Sequence, residues 1–303
     1  MDEIRIGTRG SRLALAQAQM VADMLKSHNP ATTVELVSIR TAGDVMPPER
    51  RRNADGKTAF TKEIEESLLR GDIDLAVHSA KDIPSEMDGR LVLAATPPRG
   101  DHRDALVSRL AFEELPRGAR IGTSSVRRKA QLLRLRSDVE VVEVHGNVET
   151  RIGKVGRGGL DGVVLAAAGL ARIGLEGSVT RYFEVGEMVP APCQGIIAVE
   201  ARRGDSKSIS AAVKIDDAVT HKALVCERAF SSALGGDCYV PIGAYAEVKG
   251  GRIELTGLVA SPDGREVHVR KMGPGEDPVE LGERLARALI EEGAGRVMEA
   301  ARG

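Results

Sequence analysis

The run Gly122-Thr123-Ser124-Ser125-Val126-Arg127-Arg128 joins an apolar strand pattern to a helical one. At such a junction the first backbone N–H groups of the helix lack partners and the helix dipole favours negative charge. Hydroxyls and two adjacent guanidinium groups there suit a carboxylate or a phosphate. The same residues would also serve as an ordinary N-cap followed by solvated charges. Thr8-Arg9-Gly10-Ser11 repeats the arrangement near the N-terminus, which suggests a second anion site. Arg151 and Arg172 stand near the ends of later helices, as further anion donors or as plain surface charges.

Two other segments carry reactive groups. Val77 to Pro84 begins at the end of a buried strand, where open α/β sheets place chemistry, and Asp82 is the carboxylate of that short turn. An ionised carboxylate beside Lys81 can steady a developing cation or pass a proton, whereas a turn or helix cap is the structural alternative. Gly235-Gly236-Asp237-Cys238-Tyr239-Val240-Pro241 puts a thiol in a glycine-flanked loop, exposed enough to be alkylated or simply packed. Cys226, in mid-helix, reads as an inert packed residue, and Cys193 as incidental. The three cysteines have neither CxxC spacing nor a His partner, so no metal site and no disulfide framework is expected.

These groups need elements to hold them. Strand at residues 4–7, helix from Ser11 to His28, strand at 34–39, helix at 61–70 and strand at 73–77 follow in βαβα order, the sign of a mostly parallel sheet. After Pro97 and Pro98 the alternation restarts: strand 120–122, helix from Ser124, strand 139–144, helix 148–155 and strand 161–166. A second α/β lobe is expected. Residues 196–200, a short apolar strand after a Pro- and Gly-containing segment, should return to the first lobe. Two crossovers between two lobes predict a hinged pair with a central cleft. The last part changes character. A helix at 217–234 precedes strands at 242–248, 252–260 and 265–270, joined by Gly250-Gly251 and Pro262-Asp263-Gly264, and a helix closes the chain from Pro278. The expected division is 1–97 with 196–214, then 98–195, then 215–303.

Composition excludes several classes. Lys plus Arg, 43, nearly cancels Asp plus Glu, 44, so no net basic field favours nucleic acid or a membrane surface. Aromatic residues are 2% with no Trp, which removes the stacking platforms of single-strand binders. No apolar stretch approaches the roughly 20 residues that span a bilayer. The N-terminus enters a strand pattern at Ile4 without a secretory signal, so a cytoplasmic location is expected.

In joint order and spacing these segments resemble porphobilinogen deaminases, as do Gly146-Asn147-Val148, Ala168-Gly169-Leu170 and Gln194-Gly195. The resemblance implies two periplasmic-binding-protein-like α/β lobes plus a small α+β C-terminal domain. It also implies stepwise, deaminating condensation of porphobilinogen into an oligopyrrole. Asp82 would be the catalytic carboxylate, and Cys238 would hold a dipyrromethane cofactor through a thioether. Lys81, Thr123, Ser125, Arg127, Arg128 and His145 would bind that cofactor. Arg9, Ser11, Phe60, Arg151, Arg172 and Gln194 would bind substrate, whose acetate and propionate arms explain the arginines. A mobile cover is expected at 41–57, and a monomer without nucleic-acid or membrane partners. The sequence departs from the family at His145, where Arg is usual, at Asp237 before the cysteine, and at Cys193, where Gly is usual. The competing reading is a non-enzymatic, two-lobed module that binds anions or small molecules.

Overall fold

The structure is a computed structural model that describes residues 3–45, 58–157, 159–235 and 240–302. Its residues fall into two units, Met1–Gly100 with Ile196–His221, and Asp101–Gly195 with Lys222–Gly303.

The chain begins with β1 (Glu3–Arg9), α1 (Arg12–His28), β2 (Thr33–Ile39), α2 (Ala42–Val45), α3 (Thr58–Arg70), β3 (Leu75–Ser79) and β4 (Leu91–Ala95). It continues through β5 (Asp104–Ser108), β6 (Arg120–Gly122), α4 (Val126–Leu135), β7 (Glu140–Val142), α5 (Val148–Ile152), β8 (Gly162–Ala166), α6 (Ala167–Arg172) and β9 (Arg181–Phe183). Then come β10 (Ile197–Arg202), α7 (Ser206–Ala212) and α8 (Ala218–Ala233).

The first sheet has the order β2-β1-β3-β10-β4, with β1 parallel to both neighbours and β10 antiparallel to β3. The second has the order β7-β6-β8-β5-β9 and repeats this plan: β6 is parallel to both neighbours and β5 runs antiparallel to β8. Each strand of an α/β sheet must hide both faces, and the sequence shows it. In β5 and β8, Leu106 and Val164 enter one core with Ile121, Leu132 and Phe183, while Ala105, Val107, Val163 and Leu165 enter the other. In α1 the buried Ala18, Val21, Ala22 and Leu25 follow the i, i+3, i+4, i+7 spacing that covers Ile4, Ile6 and Leu75.

The C-terminal part is α8, the antiparallel sheet β11 (Ile242–Lys249), β12 (Arg252–Ala260), β13 (Val267–Gly275), then α9 (Pro278–Leu289) and α10 (Gly295–Arg302). Phe230, Leu255, Leu285 and Leu289 are its fully buried centre. Asp277 caps α9 by accepting from Val279 and Glu280, and Pro278 takes the first helical position, where its missing N–H costs nothing. The closing helix is not continuous as expected: Gly293 at φ 110° breaks it between α9 and α10. β4, β5 and β9 were not anticipated, and α5 ends three residues earlier than the predicted 148–155. β13 starts at Val267 and runs on to Gly275, because its pairing with β12 continues through a register shift.

The β12–β13 turn rests on α4. Gly264 has φ 72°, and a Cβ there would lie 2.3 Å from the carbonyl oxygen of Ala130. Beside it, Ala130 packs with Leu258 and Ala260. Gly264→Ala should therefore destabilise the protein by about 2 kcal/mol through a left-handed alanine and a backbone clash, read as a lowered urea midpoint. An unchanged midpoint would mean that the turn does not press on α4.

Candidate carboxylate-binding and catalytic residues

Ser125 caps α4 by accepting from the Arg128 N–H at 3.4 Å, and Thr123 Oγ1 accepts from the Ser125 N–H at 3.2 Å. Arg127 and Arg128 follow in the first turn, and both side chains run inward, 5% and 8% exposed. Their common partner is Asp104, wholly buried at the start of β5. Arg127 donates to its Oδ2 at 2.7 Å and Arg128 Nε to its Oδ1 at 2.8 Å. Arg127 also donates to the Val189 carbonyl, and Arg128 to that of Val164. Burial alone would raise the Asp104 pKa, but the two guanidinium charges overcome it and hold the carboxyl well below the usual range. Burial draws the Arg128 pKa down, against the pull of Asp104. Two guanidinium groups against one carboxylate leave a net positive charge, and Arg127 Nε is buried without a hydrogen-bond partner.

Gln194, expected among the substrate contacts, is wholly buried. Its amide donates to the carbonyls of His102 and Arg103 and, at 3.0 Å, to Asp104 Oδ1. Just before it, Cys193 has φ 63°, the left-handed region that favours glycine, and its N–H donates to Glu227 at 2.5 Å.

Arg172, the last residue of α6, donates to the Gly195 carbonyl at 2.5 Å. Among the described residues no carboxylate pairs with it, and burial pushes its pKa down to about 10, so it stays charged near neutrality. His145 Nε2 lies 3.1 Å from Glu143, and Arg151 Nε donates back to the Gly146 carbonyl at 2.7 Å.

In the other unit, Ser11 caps α1 by accepting from Ala14. Arg9 lies 4.3 Å over the Phe60 ring and 2.5 Å from Asp44. Burial raises the Asp44 pKa, but Arg9 and the Thr41 N–H and hydroxyl outweigh it and bring the carboxyl below its usual range. Lys81 and Asp82 form a 3-10 turn directly after β3, and both are half-buried. That turn is pinned by the Ala80 N–H donating to the Ile196 carbonyl at 3.0 Å, just before β10. Cys238 and Asp237 lie outside the described residues, as does most of the expected cover at 41–57. Cys193 and Cys226 are both buried, and burial, then the Glu227 charge, pushes the Cys226 thiol up to about 12.

Sequence reasoning missed two groups. Asp104 and Asp44 are the internal partners of the arginines, and neither stands next to them in sequence. For Asp104 the available signal was a charged residue opening the apolar run Ala105-Leu106-Val107, where a buried acid requires a cationic partner.

Two five-stranded α/β sheets and a small α+β part, with Arg127 and Arg128 buried and Arg172 half-buried in the unit of the second sheet, define a multi-part α/β protein. Comparison with known sequences makes the class specific. Residues 4–210 match the family model "Porphobilinogen deaminase, dipyromethane cofactor binding domain" and residues 221–291 match "Porphobilinogen deaminase, C-terminal domain". The chain is 45% identical over 302 residues to the porphobilinogen deaminase of Alkaliphilus metalliredigens, covering 99% of this chain and 96% of that one. It is 46% identical over 291 residues to that of a Roseiflexus species, covering 95% and 96%. The chain belongs to the porphobilinogen deaminase family and is an enzyme, a transferase. Among solved structures it is similar to the methionine-binding protein MetQ, with a TM-score of 0.47 at 13% identity over 73% of this chain and 93% of that one. Among the described residues no helix is long and apolar enough to cross a membrane, and no cluster of His, Cys, Asp and Glu is placed to hold a metal ion.

Proposed function

We propose that this chain is a hydroxymethylbilane synthase. It joins four porphobilinogen molecules head to tail on a dipyrromethane primer held as a thioether by Cys238, and releases ammonia and a linear tetrapyrrole for heme biosynthesis. The observation that carries this reading is the surplus of inward-turned guanidinium charge at Arg127, Arg128 and Arg172. Each pyrrole of such a chain bears two carboxylate arms, and buried arginines without matching acids are stable where a ligand supplies the missing negative charge.

A dipyrromethane fits these residues, since the Arg127–Arg128–Asp104 cluster holds one uncompensated charge and an unpartnered Nε beside the capped start of α4. Thr123, Ser125, Arg127, Arg128, Lys81 and His145 would hold its carboxylates. When bound, the group supplies the terminal pyrrole carbon to which the first substrate is joined. Arg9, Ser11, Phe60, Arg151 and Arg172 would hold substrate arms. Asp82 would deliver a proton to the departing amine, so that ammonia leaves and the substrate becomes a methylene-pyrrolenine cation. The ionised carboxylate would then steady the positive pyrrole nitrogen. After the new carbon–carbon bond forms, Asp82 would take the proton lost from the attacked ring and be ready for the next addition. All of these groups sit on one chain, and we read the enzyme as a cytoplasmic monomer with functional parts 1–97 with 196–214, 98–195 and 215–303.

Incubation with porphobilinogen tests the reading: four ammonia should appear for each linear tetrapyrrole. Porphobilinogen bound without release of ammonia would leave the anion-binding module in its place.

Two smaller effects follow. Arg172→Leu should stall the later additions, leaving enzyme-bound intermediates visible by intact mass, and an unchanged intermediate profile would remove Arg172 from the substrate contacts. A histidine can donate to a carboxylate as a cation only while it holds both ring protons, whereas an arginine is charged throughout. His145→Arg should therefore hold affinity for porphobilinogen better than wild type as pH rises from 6 to 8. Parallel profiles would mean that His145, turned to Glu143, does not reach the ligand.

A further inference from the structure

We propose that Asp104 is the positioning carboxylate that fixes Arg127 and Arg128 for the primer, with Gln194 fixing Asp104 in turn, a role that rests on the reading that those arginines hold the dipyrromethane carboxylates. Asp104 is wholly buried, so it does not itself meet a ligand. It opens β5, an interior strand paired with β8 on one side and β9 on the other, so its backbone is held from both edges. Its two oxygens are divided: Oδ2 takes Arg127, and Oδ1 takes Arg128 and the Gln194 amide.

Each guanidinium is thereby held at two points, by Asp104 and by a backbone carbonyl, at Val189 for Arg127 and Val164 for Arg128. A planar fork fixed at two points has one orientation, and its remaining N–H groups aim in one direction. Without the carboxylate, two cations on successive residues of one helix turn would repel at close range in a dry environment. A buried ion pair seldom adds net stability over a well-packed apolar one. A cluster with one acid for two bases adds least of all, because it leaves a charge unmatched. What this arrangement does provide is a rigid, net-positive fork at the start of α4, and Gln194, itself fully buried, uses its amide to lock the acid that holds it.

The test uses the intact mass of the freshly purified chain, which reports the fraction carrying two extra pyrrole units, together with Tm and the kcat and KM of the loaded fraction. Asp104→Glu keeps the charge but lengthens the arm, so Tm should stay near wild type while the loaded fraction falls ~10-fold, the equivalent of one misaligned charge-assisted hydrogen bond. In the loaded fraction kcat should fall while KM for porphobilinogen holds, because the displaced group is the primer. Gln194→Met leaves every charge in place and should lower loading in the same direction by ~3-fold, less than the full worth of the charge-assisted bond that its amide gives Asp104. Asp104→Asn should load least, and if it fails to fold, the first two variants decide. Full loading with wild-type kcat in both Asp104→Glu and Gln194→Met would overturn the proposal. Arg127→Gln and Arg128→Gln separate the two layers: if these load fully, the arginines do not hold the primer. If these fail while Asp104→Glu and Gln194→Met behave as wild type, only the positioning role is lost.

Discussion

Asp82→Asn should lower turnover ~10³-fold while leaving the fold and the covalent load of the chain intact, in the middle of the range for loss of a positioned acid and base. Asp82 stands in the short turn after β3, half-buried, and the turn is held by the hydrogen bond between Ala80 and Ile196. The amide of Asn has nearly the same shape, so the turn and the Ile83 core contact should survive. It cannot give a proton to the departing amine, cannot take one from the new ring, and carries no charge to set against a cationic pyrrole nitrogen. Asp82→Glu keeps the chemistry but shifts it by a methylene, and should retain more activity than Asn. Steady-state turnover with porphobilinogen and a urea midpoint on the same preparations separate the effects. If Asn turns over like wild type at equal stability, the carboxylate has no part in the chemistry.

The turn that carries Asp82 was legible because a buried strand pattern stops there, at His78 and Ser79, with a proline soon after. The return of residues 197–202 to the first sheet could also be read, since an apolar strand with no helix of its own has to pair with something already built. The β5 strand could not. It opens with a carboxylate, and the apolar run that follows, Ala105 to Val107, is only three residues long, so its pattern does not stand out as a strand. Asp104 is tolerated in a sheet interior only because two arginines reach it from residues 127 and 128, a partnership that depends on how α4 lies on the sheet.

The same gap changed the reading of the arginines. Their types and spacing announced an anion site at the start of a helix, but not that both side chains turn inward and share an acid before meeting any ligand. Arg9 shows this too: its guanidinium was expected to face substrate, and the structure adds Asp44 and the Phe60 ring as what holds it in place. Gly43 belongs to the same cluster, since a Cβ there would lie 2.2 Å from that ring. Before Gln194, where the family resemblance implies a glycine, Cys193 adopts the left-handed conformation that glycine favours, at φ 63°. A backbone that tolerates this strain is held from outside, here by the Glu227 carboxylate.

Cys238→Ser should remove the covalent load and, with it, all activity above background. The purified wild-type chain should weigh more than its sequence by two linked pyrrole units, and the variant should weigh what its sequence predicts. The other two cysteines are poor anchors. Cys226 is fully buried with its thiol pushed up to about 12, so almost no thiolate exists near neutral pH, and Cys193 is 2% exposed. The sequence Gly235-Gly236-Asp237-Cys238 predicts a loop thiol, and a serine hydroxyl is a far weaker nucleophile than a thiolate toward an electrophilic methylene carbon. Asp237 precedes it in the sequence, and a negative charge close to a developing thiolate would disfavour it. Asp237→Gly should therefore load faster at neutral pH, and the difference should narrow as pH rises and the thiol ionises without help. A wild-type mass without excess in an active preparation would refute the covalent primer, whereas an excess that persists in Cys238→Ser and disappears in Cys193→Ser would move the anchor.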